Sequence, residues 1–157
     1  KVEEDVDPSI RLKVNAFIPE DYVDDVTLRL TLYRRIASLK TDEDIVTLES
    51  EIQDRFGTLP IEVGHLLDIM RLKILARHLF ITTIRDIDGK IRILFSPKTH
   101  VDPQDIFRLR EKTTGKITFL TDGFEIDLSA CSSKQTYMEI SRLFICLSIS
   151  DTFNRNV

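Results

Sequence analysis

Apolar residues recur along this chain with two different periods, and the changes between them divide it into segments. From Ile10 to Ile18 apolar and polar residues alternate until Pro19, which predicts one strand. From about residue 20 to residue 80 apolar residues recur every three to four positions, which predicts helices. Alternation returns from about residue 81 and ends in a last helical segment. The pattern therefore predicts a helical half followed by a sheet half.

Three helices are predicted in the first half, separated by strong caps and breakers. Asp24 can cap the first helix, which runs to about Lys40, and Pro60 suits the first turn of the third, which reaches about Leu79. The first helix carries two apolar stripes, which predict two packing partners. The stripes are Val26, Leu30, Tyr33 and Ala37 on one side and Leu28, Leu32, Ile36 and Leu39 on the other.

The second helix begins after Thr41, whose hydroxyl can cap it, and ends at Gly57, which suits a left-handed cap. One face is apolar and contains Ile45, Leu48, Ile52 and Phe56. The opposite face is polar and contains Glu43, Thr47, Ser50, Glu51 and Asp54. Glu51 and Asp54 lie one turn apart, so we expect both to point outward, without a partner inside the fold and with ordinary pKa values.

Two hairpins and two helices are predicted in the second half. The turn pairs Asp88-Gly89 and Asp122-Gly123 are typical of type I′ hairpin turns. A short helix should run from Asp102-Pro103 to about Lys112, and a last helix from Ser132 or Ser133 to about Ser150. Their expected buried residues are Ile106, Phe107 and Leu109 in the first, and Met138, Ile140, Leu143, Phe144 and Leu147 in the second.

The predicted fold class is α+β, with an N-terminal strand and a three-helix layer followed by two antiparallel hairpins with flanking helices. We expect residues 1–9 to form a linker or arm and residues 10–153 to form a single domain. Its helical half spans about 20–80 and its sheet half about 81–153. The tail from Asn154 to Val157 should fray.

Composition limits the function classes. The chain has 157 residues, 42% of them hydrophobic, and a net charge of −4, so one domain can bury a core but its overall field repels nucleic acid. A local basic band of Arg71, Lys73 and Arg77, with Arg34 and Arg35 as further candidates, leaves open an alternative function as a nucleic-acid-binding accessory domain. Basic residues near a helix C-terminus also complement its dipole.

Candidate catalytic chemistry is scarce. The five glycines form no phosphate-binding loop, and His65, His78 and His100 lack zinc spacing. Cys131 and Cys146 match no metal or redox motif, and isolated thiols fit a reducing cytoplasm. We therefore expect no catalytic residue, metal or cofactor, although a hydrolase site built from distant residues stays open. No apolar run is long enough to span a membrane, and the acidic N-terminus does not resemble a secretory signal, so we expect a soluble protein that is not exported by that route. The chain also lacks an initiating Met, which suggests a piece of a longer protein.

Several motifs in the first half resemble one family in order and spacing. They are Ala16-Phe17-Ile18-Pro19, Asp21-Tyr22-Val23, Arg29-Leu30, Leu32-Tyr33-Arg34-Arg35, Asp54-Arg55-Phe56-Gly57, Leu59-Pro60, Leu66-Leu67-Asp68 and Arg71-Leu72-Lys73. Together they resemble the C-terminal domain of the bacterial transcription-repair coupling factors, the Mfd family. Phe80 stands where relatives usually have glycine, so the exit from the third helix should differ. Beyond about Ser96 only the order of elements matches.

The resemblance implies a noncatalytic regulatory domain of an ATP-dependent DNA translocase that acts in nucleotide excision repair. In the family this domain folds back on the N-terminal UvrB-like module and covers the surface that recruits UvrA, until RNA polymerase is engaged. The matching acidic residues, Glu51 and Asp54, would face arginines, with Glu43, Thr47, Ser50 and Arg55 as neighbours. The implied location is the bacterial cytoplasm, on the nucleoid through the parent, and direct DNA binding by this domain is not expected.

Overall fold

The computed structural model describes residues 6–155, with side chains described as far as Ser150. In chain order the elements are β1 (Ser9–Arg11), α1 (Val26–Ala37), α2 (Asp42–Phe56), α3 (Ile61–His78), β2 (Ile81–Ile87), β3 (Lys90–Phe95), α4 (Pro103–Arg108), a 3-10 turn (Leu109–Glu111), β4 (Ile117–Leu120), β5 (Gly123–Asp127) and α5 (Ser133–Arg155). Helices and a sheet in this order confirm the α+β class. The contacts divide the chain into a helical unit, Val14–Ile74, and a sheet unit, which contains the described residues of Lys1–Lys13 and Leu75–Val157.

The helical unit follows the predicted caps closely. The Thr41 hydroxyl accepts the backbone N–H of Asp44 at 3.1 Å. Gly57 ends α2 with the expected positive φ, +89°, but its ψ of −162° lies outside the left-handed helical region. α1 starts one residue later than expected, because Asp25 and not Asp24 accepts the N–H of Leu28, at 2.8 Å. The buried core comes from the three helices and the segment before them. Its residues are Ile18, Val23, Leu32, Ile36, Leu39, Ile45, Leu48, Ile52, Val63, Leu67, Met70 and Ile74.

We expected both apolar stripes of α1 to pack, and this is wrong for the stripe that begins with Val26 and Leu30. Leu32, Ile36 and Leu39 are buried, whereas Val26 and Leu30 are 60% and 51% exposed. Apolar residues at helical spacing therefore do not all belong to the core here, because only one side of α1 packs. The helix also ends at Ala37, three residues before the expected Lys40, with Ser38 as its C-cap.

The sheet unit contains one five-stranded sheet in the order β1-β2-β3-β5-β4. The antiparallel ladder between β3 and β5 joins the two hairpins into one sheet, as predicted. β1 pairs in parallel with β2, so the sheet is mixed. The strand predicted over Ile10–Ile18 is limited to Ser9–Arg11, because only these residues find a ladder partner, although burial alternates onward to Ile18. Of the expected arm, residues 1–5 lie outside the described residues.

The two hairpin turns differ in how well their sequences predicted them. Asp88 and Gly89 have φ values of +54° and +85°, which confirms a type I′ turn. In the second hairpin Leu120 pairs with Gly123, so the loop is Thr121-Asp122 and the predicted turn lies one residue too late. Gly123 is required for another reason: a Cβ there would lie 1.9 Å from the Ile93 carbonyl oxygen of the adjacent strand.

The two helices of the sheet unit form where predicted, with corrections to their buried residues. Asp102 and Asp105 form a capping box at the start of α4, and Ile106 and Leu109 are buried. Phe107 is 51% exposed because it stacks on Phe119 at the surface instead of entering the core. In α5, Ile140, Leu143, Phe144 and Leu147 are buried, but Met138 is 57% exposed, because it lies on another side of the helix.

Two expectations concern the ends of helices. α5 continues to Arg155, so Asn154 and Arg155 are helical where fraying was predicted, and residues 156–157 lie outside the described residues. After α3, Phe80 adopts φ +56°, the left-handed conformation that glycine favours. Its ring makes an edge-on contact with His100, at 6.2 Å between ring centroids. The chain therefore leaves α3 through a residue with positive φ, a conformation that glycine favours and that Phe80 adopts here.

Candidate functional site

The outer face of α2 is the polar surface that the sequence singled out. Thr41 and Gly57 fix the ends of the helix, and burial of Ile45, Leu48 and Ile52 fixes its rotation about its own axis. The polar positions consequently face away from the core of the helical unit. Glu43, Thr47, Ser50, Asp54 and Arg55 are exposed and Glu51 is half-buried.

Glu51 is held by an arginine of the neighbouring helix. Arg35 of α1 donates from Nη1 to Oε1 and from Nη2 to Oε2 of Glu51, both at 2.6 Å. Arg55, one turn along α2, lies 3.5 Å from Oε1. The hydrogen bond from Arg35 lowers the pKa of Glu51 below its ordinary value, and the same bond raises the pKa of Arg35. The expectation that Glu51 lacks a partner inside the fold and has an ordinary pKa is wrong, because Arg35 lies opposite it.

Asp54 differs from Glu51 in having no such partner. Within residues 6–155 its carboxylate makes no hydrogen bond or ion pair, and it is exposed. Its neighbour Arg55 lies over the Phe56 ring, 5.1 Å from the ring centroid, and its ion pair is with Glu51 and not with Asp54. Asp54, like the exposed Glu43, is therefore more available to an external cation than Glu51 is.

Together these residues form a surface that we call the α2 acidic face: Glu43, Glu51 and Asp54 with Thr47, Ser50, Arg55 and the Arg35 of α1. Its charge is not uniform, since the bidentate Arg35–Glu51 pair is close to neutral. Arg35 of α1 was not predicted on this face, because the sequence prediction considered the residues of α2 alone. No local signal marks it, because it lies sixteen residues before Glu51.

The basic band that supports the nucleic-acid alternative is largely occupied by carboxylates. Arg71 donates to Glu49 and to Asp68, each at 2.9 Å. Burial raises the pKa of Asp68 although Arg71 acts in the opposite direction. In the sheet unit, Arg77 is only 20% exposed and lies 4.0 Å from Asp7. Lys73 is half-buried. These contacts favour a structural role for the arginines over phosphate binding.

Groups suited to metal or catalytic chemistry are scattered. Across residues 6–155 no group of three or more His, Cys, Asp or Glu side chains is placed to hold a metal ion. His65 Nδ1 lies 2.8 Å from the Asn15 carbonyl oxygen, and both cysteines are free and half-buried. No helix in this part of the chain is long and apolar enough to cross a membrane.

Comparison with known proteins decides the family. A family model described as the TRCF domain matches residues 12–106, which include all of α2. The chain belongs to the TRCF domain family. This finding confirms the resemblance drawn from the motifs of the first half. The match ends at Ile106, within α4.

Curated relatives carry the same family name. A transcription-repair-coupling factor of Escherichia coli is 38% identical over 106 residues, covering 66% of this chain and 9% of the relative. One from Rickettsia conorii is 43% identical over 88 residues, covering 56% and 8%. One from Staphylococcus epidermidis is 25% identical over 146 residues, covering 92% and 12%. The chain thus spans about a tenth of the length of the curated relatives it matches.

A solved structure agrees with the fold along most of the chain. The crystal structure of the C-terminal domain of a transcription-repair coupling factor superposes with a TM-score of 0.81 and 24% sequence identity. The match covers 90% of this chain and 91% of that one. At this identity the comparison supports the fold of the TRCF domain, including the second half beyond the family-model match.

Proposed function

We propose that this TRCF domain is the noncatalytic regulatory domain of a transcription-repair coupling factor. It docks on the N-terminal UvrB-like module of its parent and masks the UvrA-binding surface. Masking lasts until the parent, an ATP-dependent DNA translocase in the bacterial cytoplasm, engages RNA polymerase. The observation that supports this most directly is Asp54, an exposed carboxylate without a partner among the described residues, next to Glu51 on a helix capped at both ends.

The chemistry of the α2 acidic face suits a reversible contact with arginines. A guanidinium binds a carboxylate through two parallel hydrogen bonds, so such a contact has a defined geometry. Exposed charge pairs are weakened by salt and individually add little affinity. A contact of this type orients the docked domain without holding it irreversibly, as an autoinhibitory interface requires.

The Arg35–Glu51 pair predicts unequal contributions of Glu51 and Asp54 to docking. Because both Glu51 oxygens already accept hydrogen bonds from Arg35, an incoming arginine meets a partly neutralised group. Asp54 offers a full negative charge. We therefore expect Asp54 to contribute more to docking than Glu51, and Arg35 to compete with the incoming arginine for Glu51.

Docking is tested by measuring the affinity of the 157-residue chain for the separate N-terminal module at low and high salt. Asp54→Lys should weaken binding by about tenfold at low salt, the scale of one charge-assisted hydrogen bond. Glu51→Lys combined with Asp54→Lys should weaken it further, and Arg35→Ala should strengthen it by releasing Glu51.

Glu111→Lys is the matched control, because it makes the same charge change on an exposed residue of the sheet unit. Its affinity should stay close to that of the wild type. If the double α2 variant binds as tightly as the wild type at low salt, the proposed interface is wrong.

A further inference from the structure

A groove on the helical unit lies outside the α2 acidic face and has no role in the function proposed above. It has a volume of about 620 Å³ and is lined by the segment before α1 together with the start of α3. Its apolar walls are Phe17, Pro19, Tyr22 and Pro60. Phe17 is 45% exposed, so part of its ring is open to contact with a ligand.

The walls of this groove are held in place by contacts within the helical unit. The Pro19 carbonyl accepts the N–H groups of Tyr22 and Val23, at 3.1 and 3.2 Å, which fixes the turn between the two aromatic residues. The Tyr22 hydroxyl donates to the Gly57 carbonyl at 2.8 Å, and its ring lies against Phe56 with centroids 5.9 Å apart. A ligand would therefore meet a preformed surface, which lowers the entropic cost of binding.

The charge of the groove has one sign. Three carboxylates line it, those of Glu20, Asp21 and Glu62, and none of the lining residues is basic. Glu20 lies 3.8 Å from Arg29 and keeps an 89% exposed side chain. In the described part of the chain, Asp21 and Glu62 make no ion pair or side-chain hydrogen bond. The groove thus combines aromatic faces with two carboxylates, Asp21 and Glu62, that lack a close cation in the described part of the chain.

We infer that this groove binds an arginine side chain presented by an exposed segment of a partner protein. A guanidinium is planar, stacks on aromatic rings and pairs with carboxylates, so one side chain satisfies both features of the groove. Nucleic acid and other polyanions are repelled by the three carboxylates. An uncharged apolar ligand would leave those carboxylates without a counter-charge. Lysine fits less well, because its ammonium is a strongly hydrated point charge without a planar face.

The groove can be probed by NMR with the 157-residue chain and the peptide acetyl-Gly-Arg-Gly-amide. Titration should shift the ring resonances of Phe17 and Tyr22. The same peptide with citrulline in place of arginine keeps the shape and removes the charge, and it should shift them at least about threefold less at equal concentration, the scale of one exposed charge pair. A lysine peptide should fall between the two.

Variants distinguish this groove from general attraction to a negative protein. Asp21→Asn with Glu62→Gln removes the two carboxylates that lack a close cation and should weaken arginine-peptide binding about threefold or more. Glu111→Gln with Asp122→Asn removes the same charge from exposed residues of the sheet unit and should leave binding unchanged. Glu51→Lys with Asp54→Lys should leave the peptide-induced shifts of the Phe17 and Tyr22 rings unchanged, because neither residue lines the groove, and this separates the test from that of the docking function. Equal shifts with arginine and citrulline peptides, or equal weakening by the groove variant and by the sheet-unit control variant, would overturn the inference.

Discussion

Two acidic residues one turn apart on α2 have different chemical states because of their surroundings. Glu51 accepts two hydrogen bonds from Arg35, whereas Asp54 makes none within the described residues. The helical period predicted correctly that both leave the core of the helical unit. It could not predict the pairing of Glu51, because Arg35 belongs to another helix. Outward orientation is a local property of a helix, but availability to a partner depends on residues distant in sequence.

The Arg35–Glu51 pair should give stability a measurable pH dependence. Because the pKa of Glu51 is lowered in the folded state, the unfolded state binds more protons below about pH 5. The stabilisation by the Arg35–Glu51 pair is therefore complete above the pKa of Glu51 in the unfolded state, about 4.3. It is lost as the pH falls through the lower pKa that Glu51 has in the folded state. Urea unfolding from about pH 2 to 7 should show a smaller rise in stability with pH for Glu51→Gln than for the wild type.

Arg35→Gln is the companion variant for this pH test. It removes the main donor, so it should reduce the pH dependence, but by less than Glu51→Gln because Arg55 still lowers the pKa of Glu51, and the double variant should match Glu51→Gln. Both effects should shrink at high salt because the pair is exposed. An unchanged pH profile in both single variants would show that the pair does not form in solution.

At the level of whole elements, caps and turns with local signals were predicted well and long-range pairings were not. Thr41, Gly57 and the Asp88-Gly89 turn act through their own backbone geometry, which sequence alone can show. The length of β1 depends on a partner strand more than seventy residues later, so alternation overestimated it. The second turn was misplaced because Gly123 is needed for a close approach to β3 and not for a positive φ.

Two glycines with open space around them, Gly57 at the end of α2 and Gly64 inside α3, offer a matched pair of substitutions. Gly57 has φ +89° and a Cβ added there would meet open space, so Gly57→Ala should cost about 1–3 kcal/mol through backbone strain alone. Gly64 lies inside α3 with equally open space, so Gly64→Ala should stabilise by about 0.5–1 kcal/mol. Urea unfolding measures both. If both substitutions raised, or both lowered, the free energy of unfolding, these two predictions would be contradicted.

Gly123 should tolerate no side chain, for a steric reason. A Cβ 1.9 Å from the Ile93 carbonyl oxygen forces β3 and β5 apart, so Gly123→Ala should destabilise by about 3 kcal/mol. Thr121→Ala in the adjacent loop serves as the control and should change the free energy of unfolding by less than about 0.5 kcal/mol. A Gly123→Ala variant as stable as this control would mean that the strands are spaced differently.

At the scale of the whole molecule, the family relationship and the α2 acidic face support different conclusions. The family-model match and the shared fold show a TRCF domain. Sequence motifs reached that conclusion for the first half because the family's local patterns are concentrated there. The docking partner stays a proposal, since the chain covers about a tenth of its curated relatives. Its support lies in the surface chemistry of α2.

The masking role is tested most directly by the affinity of UvrA for the full-length parent protein. We expect weak UvrA binding by the wild type and tighter binding by the full-length Asp54→Lys variant, because loss of the docking contact exposes the UvrA-binding surface. Glu111→Lys in the same full-length protein should bind UvrA as weakly as the wild type. Equal UvrA affinity for the wild type and the Asp54→Lys variant, in a protein shown to bind UvrA tightly once this domain is removed, would contradict the masking role.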